Sequence, residues 1–288
     1  MKIAIVSGCD ANYYPLLVEL IASIRRFREA DNCAICVLDA GLTAEQVEAL
    51  REHAAEIEIP EWPKELSPDR VKGKDYLKAC VCRPFIRDLF PGYDIYVWLD
   101  ADTWVQDWSA IATFIEGAKA GDRIAVTNGA DRAYSKPVRI SWLGRWPAKV
   151  KNFYSANGKA PFGWAFAKRM VNEYVLSAGC FALHRDAPHW QRWQELVVQA
   201  AGKGKLFPAE QLALGHLVHI DGLKAELLPA YMHWLCVCPA MWDRERGVFV
   251  EPSQPHEVLG VLHLSGVDAL RADRAATMQV QAAARQSR

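Results

Sequence analysis

Short apolar runs alternate with stretches of helical periodicity through the first half of the chain. Residues 2–7 and 33–39 are apolar runs of strand length. Between them Leu17, Leu20, Ile21, Ile24 and Phe27 recur at helical spacing, which predicts a helix over 14–28. Thr43 and Gln46 have the spacing of a capping box, so a helix should start after Thr43. Residues 76–90 predict another helix, stopped by Pro91 and Gly92. A strand over 94–99, a helix over 107–118 and a strand over 123–127 follow. This β-α-β-α order argues for an α/β fold with a mostly parallel central sheet covered on both faces. Further along, 174–183 reads as a strand, 187–201 and 208–218 as helices, and 224–228 and 259–264 as short strands. The tail, 267–288, is rich in Ala, Arg and Gln and predicts a loose helix or disorder.

Composition adds exclusions. The 288 residues are 51% hydrophobic and 24% charged, with zero formal net charge. Nothing global therefore points to nucleic acid as a partner. No apolar run approaches the roughly 18 residues of a membrane span. The N-terminal run is too short for a signal peptide, so the expected location is cytoplasmic. Cys33 and Cys36 have a C-x-x-C spacing, which zinc or redox sites use. They sit in a strand-like run and no second C-x-x-C exists, so the eight cysteines read as small hydrophobes.

The chemistry starts at Trp98-Leu-Asp-Ala-Asp-Thr-Trp104, where an apolar strand ends in Asp100 and Asp102. In open α/β sheets, ligands bind beyond the carboxyl ends of strands. Carboxylates at i and i+2 of extended chain would point the same way and repel. A divalent cation removes that cost. The competing reading is a helix cap, and the pattern alone leaves both open. Residues 134–172 differ from their surroundings. They carry Lys136, Arg139, Arg145, Lys149, Lys151, Lys159, Lys168 and Arg169, several Trp and Phe, and no Asp or Glu. Two readings stand for this insertion. One is a solvated hairpin closing over a ligand as a lid. The other is a surface for an anionic acceptor or for the inner face of a membrane.

At Tyr96-Val-Trp-Leu-Asp-Ala-Asp-Thr103 the chain resembles the D-x-D segment of family 8 glycosyltransferases, retaining enzymes of GT-A fold. Further blocks are similar in order: Asp10-Ala-Asn12-Tyr13, Arg83 seventeen residues before Asp100, Ser177-Ala178-Gly179, Glu210-Gln211 and His263-Leu-Ser-Gly266. The resemblance spans residues 2–266. It implies one Rossmann-like GT-A domain over 1–266, with 267–288 as a tail. It implies a metal, Mn²⁺ or Mg²⁺, on Asp100, Asp102 and His263. It also implies a UDP-sugar donor held by Asp10, Asn12, Tyr13, Arg83, Leu99, Ala101, Ser177, Ala178, Gly179 and Gly266. Glu210 and Gln211 would lie at the anomeric carbon. Glu210 would be a nucleophile if displacement is double; in front-face attack Gln211 would share a face with acceptor and phosphate. The acceptor class would be a saccharide, a glycolipid or an anionic molecule.

Three departures from the family pattern stand out. The family's K-P-W after H-x-x-G is missing: Ala269 stands at the Lys position, with Arg271 the nearest cation. Ser177 replaces an Asn, and Glu210 replaces an Asp. The alternative readings are a sugar-1-phosphate nucleotidyltransferase of similar fold, a catalytically silent sugar-nucleotide binder, and a self-glycosylating primer. The first would want a Gly-rich basic phosphate loop, which Ser7-Gly8-Cys9-Asp10 matches poorly. The second has no need of all three metal ligands, and the third would need an exposed acceptor Tyr.

Overall fold

The computed structural model describes residues 1–134 and 138–272. In chain order the strands are β1 (Ile3–Cys9), β2 (Cys33–Asp39), β3 (Glu56–Glu58), β4 (Ile95–Leu99), β5 (Thr103–Val105), β6 (Arg123–Asn128) and β7 (Arg139–Leu143). Then come β8 (Trp146–Lys151), β9 (Leu176–His184), β10 (Lys224–Leu228), β11 (His233–Leu235), β12 (Met241–Asp243), β13 (Val248–Val250) and β14 (Val261–His263). Seven of them form the central sheet, in the order β10-β6-β9-β4-β1-β2-β3. Strands β4, β1, β2 and β3 are parallel neighbours, as are β6 and β10. Only β9 runs against its neighbours, β4 and β6. The reversal has a topological cause. Strand β6 ends at the carboxyl edge, and β9 starts at that same edge, so the segment joining them emerges there. The sheet is thus mostly parallel, as the strand and helix order predicts, with the basic insertion rooted at the ligand-binding edge.

Alternation along β4 shows why its apolar run is continuous. Tyr96 and Trp98 enter one core, against Trp190, Trp193, Leu196 and Val197 of helix His189–Lys203. Ile95, Val97 and Leu99 enter the other, against helices Tyr14–Arg25 and Trp108–Ala118. A strand buried on both faces needs no polar side. Cys33 and Cys36 follow the same rule. They enter different cores on opposite faces of β2, so the C-x-x-C pair cannot converge on one ligand.

Local chemistry explains where elements differ from expectation. The capping box at Thr43 and Gln46 is formed. The helix expected over 76–90 is instead broken into Lys78–Val81 and Ile86–Leu89, with 3-10 turns at Asp75–Leu77 and Arg83–Phe85. Pro84 supplies the reason: it donates no N–H and disfavours helical geometry in the residue before it. The break turns Arg83 inward, leaving it 6% exposed. The first helix ends at Arg25 rather than 28, because Phe27 is extended.

The insertion consists of the antiparallel β7–β8 ribbon and helices Phe153–Asn157 and Lys159–Arg169. Tyr154, Phe166 and Met170 anchor it in a small core with Leu212. A second sheet, β11-β14-β5, stands beside the first. Helix Asp268–Ala272 follows, while the expectation for the rest of the tail lies outside the described residues.

Candidate active site

Three segments converge at the carboxyl edge of β4. The β4–β9 register sets Leu99 opposite Cys180, and the next amide, Asp100 N–H, donates to the Gly179 carbonyl at 2.9 Å. Residues 100–103 then turn tightly, with Thr103 N–H donating to the Asp100 carbonyl at 3.0 Å. Asp100 and Asp102 therefore converge through a turn and not along a strand pleat, as their spacing had suggested. Neither caps a helix; the cap of Trp108–Ala118 is Asp107. The third segment is β14, which pairs His263 with Thr103 of β5. Leu264 N–H also donates to the Asp102 carbonyl, at 2.9 Å.

One atom from each of Asp100, Asp102 and His263 lies within 4.8 Å of the others. His263 Nε2 is 3.0 Å from Asp102 Oδ1 and 3.6 Å from Asp100 Oδ2. The outward-facing atoms are tied off. Asp100 Oδ1 accepts from Arg83 at 2.6 Å and from Trp98 Nε1 at 2.8 Å. Asp102 Oδ2 pairs with Arg271 Nε at 2.9 Å. His263 Nδ1 is 2.9 Å from Nε2 of His233, whose Nδ1 is 3.3 Å from Thr127 Oγ1. One oxygen of each carboxylate and His263 Nε2 are thus turned toward one another, a donor set that suits Mn²⁺ or Mg²⁺. Burial pushes the Asp100 carboxyl up, against the opposing pull of Arg83 and His263. Burial also acts to raise Asp102, but His263 and Arg271 outweigh it and hold this carboxyl below its usual range. Burial keeps His233 neutral, well below the usual imidazole range.

Backbone clearance matters as much as the side chains. A Cβ at residue 179 would lie 2.6 Å from His263 Cε1 and 2.8 Å from Asp100 Oδ2. Only Gly lets β9 pass this close.

Arg83 ties this cluster to a third carboxylate. Its guanidinium reaches Asp100, the Ala178 carbonyl at 2.9 Å and Glu210 Oε1 at 3.2 Å, and it stacks over the Trp98 ring. Burial acts against its charge, but Asp100 and Glu210 outweigh that effect and hold it charged. Asp88, five residues on, pairs with Arg87 and not with Arg83. Glu210 sits in the first turn of helix Ala209–His219, 4% exposed, and burial pushes its carboxyl up to about 7. Its Oε2 is buried without a hydrogen-bond partner.

These groups line a cavity of about 390 Å³. Of the residues singled out in the sequence, Asp10, Tyr13, Arg83, Asp100, Ala101, Asp102, Ser177, Gly179, Glu210, Gln211 and His263 line it. Four do not. Leu99 and Ala178 are buried in the two cores, with Ala178 contributing its carbonyl to Arg83. Gly266 stands beside Val237 in a left-handed turn at φ +77°. Asn12 is exposed and donates to Asp10 Oδ2 at 2.9 Å, so it shapes the Asp10–Tyr13 turn. Arg271 is on the cavity wall and reaches the Tyr13 hydroxyl at 3.3 Å. Sequence reasoning missed His233 and the aromatic lining of Tyr76, Phe153 and Phe207. His233 gives no local signal, since its role depends on β11 pairing with β14 thirty residues away.

Residues 4–116, from β1 through the acid pair, match the family model described as Glycosyl transferase family 8. This segment, from the first strand to the helix after the acid pair, is similar to family 8 of the glycosyltransferases. Among solved structures, the galactosyltransferase LgtC, in complex with donor and acceptor sugar analogues, aligns over 91% of this chain and 87% of its own. The TM-score is 0.54 at 14% identity. The bifunctional glycosyltransferase WbbM aligns over 92% of this chain and 46% of its own, with TM-score 0.56 and 14% identity. No curated protein matches by sequence. The family 8 segment thus lies within a GT-A fold, and the protein is a glycosyltransferase.

Proposed function

We propose that the protein transfers a sugar, with retention, from a UDP-sugar to a saccharide or glycolipid acceptor, with a divalent metal at its site. The observation that carries this reading is the convergence of Asp100 Oδ2, Asp102 Oδ1 and His263 Nε2, their other atoms held by Arg83, Arg271 and His233. These three side chains would hold Mn²⁺ or Mg²⁺. When bound, the ion would supply Lewis-acid stabilisation of charge on the leaving diphosphate.

The remaining roles belong to the chain itself. Tyr13, 37% exposed at the cavity, offers a ring face to the uracil, and Asp10 offers an acceptor to the base or ribose. Arg271 brings positive charge to the cavity wall, where the family Lys is missing. Gly179, on the cavity wall, leaves the Asp100 and His263 side chains room to converge beside the donor. Glu210 is poorly suited to be a nucleophile: Arg83 holds Oε1, and burial pushes its carboxyl up to about 7. Its unpartnered Oε2 is free to accept a hydrogen bond from a donor-sugar hydroxyl. Retention then proceeds by attack of the acceptor hydroxyl on the face from which the diphosphate leaves, with Gln211 on that face.

The test is hydrolysis of a panel of UDP-sugars in the presence of Mn²⁺, followed by product release. One donor should be cleaved faster than the rest, and Glu210→Gln should lower that rate without abolishing it. No cleavage of any UDP-sugar would sink the donor assignment.

A further inference from the structure

Among the described residues, the β7–β8 ribbon pairs with no other strand. Ten of the eleven residues of its strands are exposed, and Lys151 is partly so. An isolated two-stranded ribbon is marginal in water, and exposed apolar surface of this kind marks an interaction site. Its side chains are sorted. Ile140 opposes Val150 and Trp142 opposes Pro147, which sets an apolar row on one face. On the other face Arg139 opposes Lys151 and Ser141 opposes Lys149, which brings three cations together. Like charges directly opposite destabilise a ribbon. Lys149 stands close enough to push the Lys151 amine below its usual range. Arg139, Arg145, Lys149 and Lys151 make no ion pair with the described residues, and 134–172 contains no Asp or Glu. At the tip, Leu143 opposes Trp146 across a turn with Gly144 at φ +61°. Trp142, Leu143 and Trp146 are 61%, 75% and 79% exposed.

We propose that this ribbon is a docking element for an anionic lipid surface, and that it makes the acceptor of the reaction a membrane-borne one. The spacing fits. At roughly 3.3 Å per residue, Lys149 lies about 7 Å behind the tip, and Arg139 and Lys151 about 13 Å behind it. An apolar tip sunk roughly 5–10 Å into the interface would place these cations among the headgroup phosphates. A soluble anionic saccharide would engage the basic face and leave the apolar row and tip uncovered. The ribbon is also joined to the cavity: β8 ends at Lys151, and Phe153, two residues on, lines the wall. Docking there brings the cavity close to the lipid. The claim about the acceptor rests on the transferase reading; the claim about the surface does not.

Sedimentation with vesicles of phosphatidylcholine, with and without phosphatidylglycerol, tests it on the full chain. The protein should sediment with the anionic vesicles and stay in solution with the neutral ones. The combined variant W142S/L143S/W146S and the variant R139E/K149E/K151E should each lose binding. The second should lose roughly a hundredfold or more, from about fivefold per cation. Both variants alter exposed residues, so their thermal unfolding and their hydrolysis of donor in solution should match the parent. Absence of binding to anionic vesicles would overturn the proposal. So would unchanged binding in both variants, or capture by heparin without any capture by vesicles. Vesicle binding is read without donor, so its failure is distinct from a failure of sugar transfer.

Discussion

Gly179→Ala is the sharpest steric test of the candidate site. The added Cβ would sit 2.6 Å from His263 Cε1, 3.0 Å from its Nδ1 and 2.8 Å from Asp100 Oδ2. Ordinary contact needs about 3.5 Å, so something must give by close to 1 Å. Strand β9 cannot retreat, because it is held between β4 and β6 and its Gly179 carbonyl accepts from Asp100 N–H. The His263 ring or the Asp100 carboxylate must move. Overpacking of this kind costs about 1–3 kcal/mol, and Ala returns about 0.4–1 kcal/mol through the unfolded chain. The net loss of stability should therefore be small, about 0–2.5 kcal/mol by urea unfolding. Metal affinity should fall much more steeply, by roughly 10–100-fold, since two of three ligands are disturbed. Calorimetric titration of Mn²⁺ into parent and variant reads this directly. Equal Mn²⁺ affinity in the two proteins would refute the assignment of Asp100 and His263 as a shared ligand site.

Other perturbations follow from the same geometry. Glu210 has its carboxyl raised from 4.5 to about 7 by burial, so the stability it contributes is full below pH 4.5 and lost as pH rises through 7. Relative to the parent, Glu210→Gln should thus gain up to about 3 kcal/mol between pH 4.5 and 8 in urea unfolding; a pH-independent difference would contradict this. His233→Phe leaves His263 Nδ1 buried without its partner and should weaken Mn²⁺ binding by roughly 10–100-fold, with partial recovery in His233→Gln. Arg271→Ala removes the cation on Asp102 Oδ2 and on the cavity wall. It should weaken UDP binding by roughly tenfold, and unchanged affinity would remove Arg271 from the diphosphate site.

Most of the scaffold was legible because it depends on local pattern. The continuous apolar runs of β1, β2 and β4, the capping box at Thr43 and the helix over 209–219 all report short-range physics. The breaks around Pro84 were readable in principle, from the proline itself, and they decide that Arg83 faces inward. What stayed hidden is non-local. The direction of β9 depends on where the insertion leaves the sheet. The turn that converges Asp100 and Asp102 depends on Gly179 and Thr103. His233 matters only because β11 lies beside β14. Residue types at the site could be named from a family resemblance, but not the hydrogen bonds that aim their free atoms.

The central claim is that Asp100, Asp102 and His263 form a metal site that receives a nucleoside diphosphate. Calorimetric titration of UDP into the parent protein and into Asp102→Asn, each with and without Mn²⁺, tests it most directly. UDP binding by the parent should require Mn²⁺ and weaken roughly tenfold or more in the variant. UDP binding that is absent, independent of Mn²⁺, or equal in both proteins would contradict it.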